Sequence, residues 1–416
     1  MAETTAPLPG TVVDATLPNG LRFVGERMER SEAVALAVRV CGGSKDDPPN
    51  KLGLASLVQE TLFKGTRKHD ARALSDAFDF YGIQHNEQTL TESTVLQLRC
   101  LPEHLGKALE LLREVLSQPS FPEKECATAR TLAVQSLKRL EDEPLSKVFV
   151  LLKELYFGTE WGHVELGREA TVPEVSRADI EAFWKAHYIP AGTVVSAAGK
   201  FDPAALQQQL ETLLANSGPA WPHEEPPPPP AAPLRQHSYK DSQQTQLALA
   251  FPAVPRRHPA YYPARLAVGV LAGGMSARLF TEVREKRGLV YAVGAQAMSL
   301  RHSGAIYAFA GTTAPRAAET LQVLKAELAR LGQDATQEET DRAKVGLKAR
   351  LLMDQESTYQ RSKEMLDDIF LEDRIVPVGE TVQRIDAVTA EDVKVYWNSH
   401  PVEPCAMVVL GREPLG

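Results

Sequence analysis

The stretch VSRADIEAFW, Val175 to Trp184, returns 213 residues later as VTAEDVKVYW, Val388 to Trp397, which aligns Asp179 with Asp392 and one tryptophan with the other. The same offset pairs Pro102 with Pro315, and each proline opens a helical pattern: LPEHLGKALELLREVL in the first half, APRAAETLQVLKAEL in the second. VVSAAG, Val194 to Gly199, also resembles MVVLG, Met407 to Gly411, at nearly the same spacing. A duplication of about 210 residues is too long for a solenoid repeat and implies two copies of one domain.

Between the copies lies SGPAWPHEEPPPPPAAPL, Ser217 to Leu234, with five consecutive prolines, Pro226 to Pro230. Such a run favours extended polyproline geometry and continues neither a helix nor a central strand. It reads as a semi-rigid linker, with a docking site for a proline-binding module as the weaker alternative. The expected division is therefore a domain over 1–216, the linker over 217–234 and a second domain over 235–416.

Each copy mixes strands with helices. In the first, Leu17 to Val24 carries the turn pair Asn19-Gly20, Ala33 to Val40 is a β-favouring run, and Ser93 to Leu101 alternates Leu96, Leu98 and Cys100 with Gln97 and Arg99, as a half-buried strand would. Arg72 to Tyr81, Glu103 to Leu116, Lys124 to Leu140 and Arg177 to His187 read as helices, with Gly82 stopping the first. In the second copy the strands are Gln244 to Phe251 and Gly304 to Ala310. Its helices are Tyr262 to Leu271, Ser276 to Lys286, Ala314 to Leu331, Gln337 to Ala349 and Ala390 to Trp397. Strands followed by helices, without regular βαβ alternation, predict α+β layers.

Composition excludes several classes of function. A formal charge of −8 and a pI near 5.8 argue against a nucleic-acid partner, and the basic run Arg284 to Arg287 is interrupted by Glu285. No apolar stretch reaches the roughly 18 to 20 residues that span a bilayer. The first twenty residues hold no Arg or Lys and no apolar core of signal-peptide length. Cys41, Cys100, Cys126 and Cys405 are scattered without a C-x-x-C pair, which predicts reduced, buried thiols and a cytoplasmic location. The ten histidines form no H-x-x-x-H pair.

Two strings carry the chemistry. GLASLVQETLFKGT, Gly53 to Thr66, is on its own an amphipathic helix ended by a Lys-Gly turn, with Leu54, Leu57, Val58 and Leu62 as its buried stripe. GGMSARLFTEVREKRGLVYAV, Gly273 to Val293, is on its own a charged helical face of i,i+3 and i,i+4 pairs, followed by a core tyrosine. Together with the duplication, both resemble the pitrilysin/insulinase family of inverted-motif zinc peptidases, to which the mitochondrial processing peptidases and respiratory core proteins are related. That resemblance extends over nearly the whole chain and implies two similar α+β halves, each a mostly antiparallel sheet packed with helices.

In the family the first string reads G-L-A-H-x-x-E-H-x-L-F-K-G-T. Here the two histidine positions are Ser56 and Glu60, and the catalytic glutamate position is Gln59. Serine is a poor zinc ligand, a lone carboxylate leaves the first shell unfilled, and a neutral amide accepts no proton from a metal-bound water. The family's third ligand is a distant glutamate before an Glu-Asp-x-Pro end. Laid on Ala133 to Pro144, that position falls on Ser136, because Ala129, Leu132, Ala133, Ser136 and Leu140 share one helical face, or on neighbouring Gln135. Neither is a carboxylate, so no metal and no catalytic residue is expected in this chain.

The second string keeps what the first has lost. The resemblance implies that an Arg and a Tyr seven residues apart, here Arg284 and Tyr291, hydrogen-bond the substrate backbone in family members that lack zinc. Donors aimed at a developing carbonyl charge assist attack by a metal-bound water, and Gly288 should end the helix so that Tyr291 begins a strand. The sequence thus points to a non-catalytic, substrate-binding subunit of a heterodimeric zinc peptidase acting on extended peptides or unfolded proteins. Zinc and general base are expected in a homologous zinc-bearing partner, and the sequence leaves open whether a homodimer forms in its absence. The alternative is a scaffold like the respiratory core proteins. Independent hydrolysis has no support, since no G-x-S-x-G occurs.

Overall fold

The computed structural model describes residues 12–219, 224–400 and 406–415. The first eleven residues, positions 220–223 of the proline-rich stretch and Cys405 lie outside the described residues. The first half supplies strands β1 (Val12–Thr16), β2 (Arg22–Arg27), β3 (Val34–Cys41), β4 (Gln84–Thr89), β5 (Ser93–Cys100) and β6 (Val194–Gly199). Its helices are α1 (Leu54–Leu62), α2 (Ala71–Phe80), α3 (Leu105–Ser117), α4 (Glu123–Glu141), α5 (Pro144–Gly162), α6 (Arg177–His187) and α7 (Pro203–Leu210). The second half supplies β7 (Leu234–Tyr239), β8 (Gln244–Ala253), β9 (Val290–Ser299), β10 (Gly304–Thr313) and β11 (Ala406–Gly411). With them come α8 (Tyr261–Ala272), α9 (Ala317–Asp334), α10 (Gln337–Gln355), α11 (Thr358–Glu372), α12 (Val378–Ala387) and α13 (Ala390–Ser399).

The strands form two sheets, ordered β1-β2-β6-β3-β5-β4 and β7-β11-β8-β10-β9. All pairings are antiparallel except β2 with β6 in the first and β7 with β11 in the second. The duplication is therefore topological: β2, β6, β3, β5 and β4 correspond in order to β7, β11, β8, β10 and β9. Helices α6 and α13 repeat each other as well. Each opens on a capping box, Ser176 with Asp179 and Thr389 with Asp392, in which hydroxyl and carboxylate satisfy reciprocal backbone N–H groups. Trp184 Nε1 then donates to the Leu116 carbonyl at 2.9 Å, and Trp397 Nε1 to that of Leu328 at 2.6 Å. The equivalence of the two tryptophans is thus one of role.

The contiguous division expected from the linker needs correction, because the compact units interleave along the chain. One unit comprises residues up to Gln135, then Glu165–His223 and Asp354–Ile375; the other comprises Ser136–Val164, Glu224–Met353 and Val376–Gly416. The exchanged segments are α5 and α11. In the first unit Met365, Leu366 and Ile369 of α11 pack on Val24, Ala37, Val95, Val194 and Ala198 of the sheet. In the second, Val148, Leu152, Tyr156, Phe157 and Trp161 of α5 pack on Ala248, Ala250, Ala305, Tyr307 and Val408. The opposite face of that sheet, with Leu247, Leu249, Phe251, Ile306 and Val409, meets α8, α9 and α13.

Helix α11 also explains why β5 is not half-buried as its alternation suggested. Gln97 is buried, and its amide donates to the Tyr359 carbonyl of α11. Arg39 on β3 pairs with Asp367 and lies 4.3 Å from the Phe370 ring centroid. Ser196 on β6 donates to the Ser362 carbonyl at 2.6 Å. A sheet face that buries Arg, Gln and Ser against a polar helix reads in sequence as a solvent face. The free thiols Cys41, Cys100 and Cys126 are buried as expected, and burial pushes Cys100 up to about 11. No described helix is long and apolar enough to cross a membrane.

Candidate functional site

Helix α1 forms where the first string predicts it, with Leu54, Leu57, Val58 and Leu62 buried. Its start is built by two residues that the stripe does not reveal. Gly53 takes φ 100°, a left-handed conformation, and a Cβ there would meet the Leu166 carbonyl oxygen at 2.6 Å. The Asp47 carboxylate then accepts from Gly53 N at 2.7 Å and Ala55 N at 2.8 Å, satisfying donors at the helix start.

Ser56, Gln59 and Glu60 are brought together by α1, and their environments differ. Ser56 is buried and its hydroxyl donates to the Glu165 carbonyl at 2.6 Å. Gln59 is buried at the helix surface without a hydrogen bond to a described residue, whereas Glu60 is exposed. A hydroxyl committed to a backbone carbonyl, a neutral amide and one solvated carboxylate do not fit a catalytic zinc, which takes about three nitrogen, sulfur or carboxylate ligands. Among the described residues no group of three His, Cys, Asp or Glu side chains is arranged to hold a metal ion.

Ser136 requires a correction. The buried stripe of α4 runs through Cys126, Ala129 and Leu137, whereas Leu132 is 54% exposed. The face expected to point inward is therefore rotated, and Ser136 is half-buried at its margin while Gln135 is exposed. Ser136 also belongs to the other compact unit from α1.

The turn after α1 is locked by a residue far away in sequence. Glu114 of α3 is 2% exposed, and its carboxylate lies 2.9 Å from Lys68 Nζ and 2.9 Å from His69 Nδ1. Burial opposes its ionisation, but the hydrogen bonds from Lys68 and His69 outweigh it and hold the carboxyl below its ordinary value. A lowered folded value stabilises above the unfolded carboxyl range, and that stabilisation is lost as pH falls through the folded value. Glu114→Gln should therefore cost about 1–3 kcal/mol at neutral pH, measured by urea denaturation. The gap between variant and wild type should close on acidification; a gap independent of pH would assign the loss to packing.

The second string departs from a plain helix at its functional end. Lys286 N donates to the Thr281 carbonyl, five residues back, at 3.0 Å, so Phe280–Glu285 is a π-helical turn, a feature frequent at functional sites. Gly288 follows at φ 60° and ends it. The charged face expected of the string exists, but it consists of Lys286 and Arg287 on Glu282, which hold the Glu282 carboxyl below its ordinary value. Arg284 takes no part: it is exposed, makes no ion pair among the described residues and lies 4.9 Å from the Phe280 ring centroid. The start of the string is anchored instead by buried Arg278, which reaches Asp334 at 2.5 Å and Glu339 at 2.7 Å.

Tyr291 is not a core residue. It is 44% exposed and sits at the edge of the sheet, where Gly311 pairs with Ala292 and Thr312 with Val290, leaving Tyr291 as the extra residue of a β-bulge. Its ring lies over Gly311 on β10, where an added Cβ would come within 2.5 Å of the ring. The phenol thereby reaches β8, one strand further. Its oxygen accepts from Gln246 Nε2 and its proton goes to Gln244 Oε1 at 2.9 Å. Gln246 is 2% exposed, and its own Oε1 is buried without a hydrogen-bond partner among the described residues, which costs about 1–3 kcal/mol. No hydrogen bond or ring contact joins Arg284 to Tyr291, although the π-helical turn packs against β9.

Sequence reasoning placed Gln244 and Gln246 on a strand without assigning them a role. Their spacing of two residues, which puts both amides on one face, was the available signal. Gly311 carried none, because its meaning depends on the register of β10 and on the bulge.

The chain is similar to known proteins over most of its length. Residues 22–162 match the family described as Insulinase (Peptidase family M16), and residues 174–347 match Peptidase M16 inactive domain. The chain is 28% identical to the uncharacterized zinc protease YmxG of Bacillus subtilis, over 91% of this chain and 93% of that protein. An uncharacterized zinc protease of Rickettsia felis is also 28% identical, over 91% and 92%. The fold resembles the solved peptidase M16 inactive domain from Pseudomonas fluorescens with a TM-score of 0.88 at 24% identity, covering 98% of this chain and 100% of that one. A protease from Helicobacter pylori gives 0.87 at 20% identity, covering 97% and 100%.

Proposed function

Because this chain belongs to the pitrilysin/insulinase, or M16, family of peptidases, we propose that it is the non-catalytic, substrate-binding subunit of a two-chain zinc peptidase. A zinc-bearing homologue supplies the metal and the general base. This chain supplies Arg284 and Tyr291 as donors to the backbone of an extended peptide. The observation that carries the reading is an asymmetry of commitment. Ser56, at a ligand position, spends its hydroxyl on a backbone carbonyl, and Gln59 brings an amide that accepts no proton. Arg284, in contrast, is exposed and makes no ion pair among the described residues, and Tyr291 is 44% exposed with its phenol held by two glutamine amides rather than by backbone. Relatives named zinc proteases fit the partner's role as well as this chain's ancestry.

A guanidinium and a phenol are both donors, and a peptide carbonyl accepts from either. Donors fixed before the reaction stabilise the oxyanion that develops when water attacks that carbonyl. The test is co-expression with a zinc-bearing homologue from the same genome, followed by assays of complex formation and peptide cleavage. Arg284→Ala or Tyr291→Phe should leave the complex intact and lower cleavage by on the order of 10²-fold. Equal cleavage by both variants would remove the substrate-binding role, and stoichiometric zinc with cleavage by the isolated wild-type chain would remove the non-catalytic one.

A further inference from the structure

We infer that Gln246, Gly311 and Gln244 are positioning residues that govern the Tyr291 phenol, with the Gln244 amide standing in for the peptide carbonyl that the phenol is built to meet. The inference rests on the reading of Tyr291 as a donor to a peptide backbone. Its geometry is that of a directed chain. Gln246 Nε2 donates to the phenol oxygen, and the phenol donates to Gln244 Oε1. The first link starts from buried Gln246 and the last lies at the exposed start of β8. A phenol carries one proton, so while Gln244 holds it a peptide carbonyl cannot. Binding must exchange one carbonyl acceptor for another, with no net change in hydrogen-bond number.

Two features set this chain apart from ordinary packing. Gln246 lies among the buried residues of β8 with one side-chain oxygen lacking a partner among the described residues, so an apolar side chain of similar size would suit folding better. A residue that folding disfavours and that touches the one exposed phenol of the candidate site is explained by what it does to the phenol. Gly311 acts by absence: any Cβ would occupy the place of the ring. The three residues therefore affect Tyr291 differently. Gln246 and Gly311 hold it in place, whereas Gln244 competes for its proton.

This opposition yields opposite signs. In the full chain, binding of fluorescein-labelled β-casein, which does not fold, is followed by anisotropy. Gln246→Leu should weaken binding by most of the factor that Tyr291→Phe does, with a melting temperature no lower than wild type. Gln244→Ala should strengthen it. A structural role for the pair predicts instead that both variants weaken binding and melt earlier. The position of the phenol is read independently by 19F NMR of the chain labelled with 3-fluorotyrosine, where Tyr291→Phe identifies one resonance among the ten tyrosines. Gln246→Leu and Gly311→Ala should each shift that resonance, and Gly311→Ala is needed only where it folds. An unmoved resonance in Gln246→Leu overturns the inference. A resonance that moves while Tyr291→Phe binds casein like wild type upholds the positioning and overturns the substrate reading beneath it.

Discussion

Residues 1–219, produced without the rest of the chain, should fail to unfold cooperatively, even though they contain every strand of the first sheet. The missing piece is α11. Its Met365, Leu366 and Ile369 are buried against the sheet, and burying side chains of this kind stabilises by roughly 1.5–3 kcal/mol each. Losing three removes about 5–9 kcal/mol, comparable to the whole stability of an ordinary domain at about 5–15 kcal/mol. The loss also leaves Arg39, buried on β3, without Asp367. Residues 224–416 face the same difficulty, because Leu152, Tyr156, Phe157 and Trp161 of α5 are supplied from across the linker. Mixing the two pieces should restore a cooperative transition, followed by circular dichroism and by co-purification. A cooperative melt of residues 1–219 alone, within a few degrees of the intact chain, would contradict the exchange of helices.

Arg361→Ala should cost about 3–5 kcal/mol, the range for removing one member of a buried ion pair. Arg361 is buried at the foot of α11, with Nε 2.6 Å from Glu26 on β2 and an NH1 nitrogen 3.1 Å from Glu364. Truncation leaves the Glu26 carboxylate, 20% exposed, without this partner at the edge of the core. Glu26→Ala should be milder, because Arg361 keeps Glu364. The double variant should recover part of the loss, which makes the coupling measurable by a double-mutant cycle in urea. Since the pair is shielded, added salt should change the result little. Losses below about 1 kcal/mol, the value for exposed pairs, would show that the bridge does not fasten α11.

How much of this was legible depended on whether a residue's neighbours are close in sequence. The repeated segments Val175 to Trp184 and Val388 to Trp397 are local, so they announced both the helices and the duplication. Helix α1 was readable from Leu54, Leu57, Val58 and Leu62 for the same reason. Helix α11 was not, because Arg361, Ser362 and Asp368 are buried with its apolar residues and blur the stripe. Strand β4 is almost wholly polar, QHNEQT, and lies at a sheet edge, so no alternation betrayed it. At the candidate site, Arg284 and Tyr291 were visible through their motif. The π-helical turn, the bulge and the glutamines beneath the phenol emerged only from hydrogen-bond geometry and strand register.

Helices α5 and α11 occupy equivalent places in the two copies, and each is lodged on the sheet of the other. Selection therefore does not act on either copy as a separate unit: a change in α11 is judged by the first sheet, and a change in α5 by the second. Two separate single copies would reach the same arrangement only by trading helices, as a domain-swapped pair does. Joining two such copies end to start exchanges an association that dilution reverses for one that it does not. In this light the proline segment is the covalent tie that makes the exchange of helices independent of concentration.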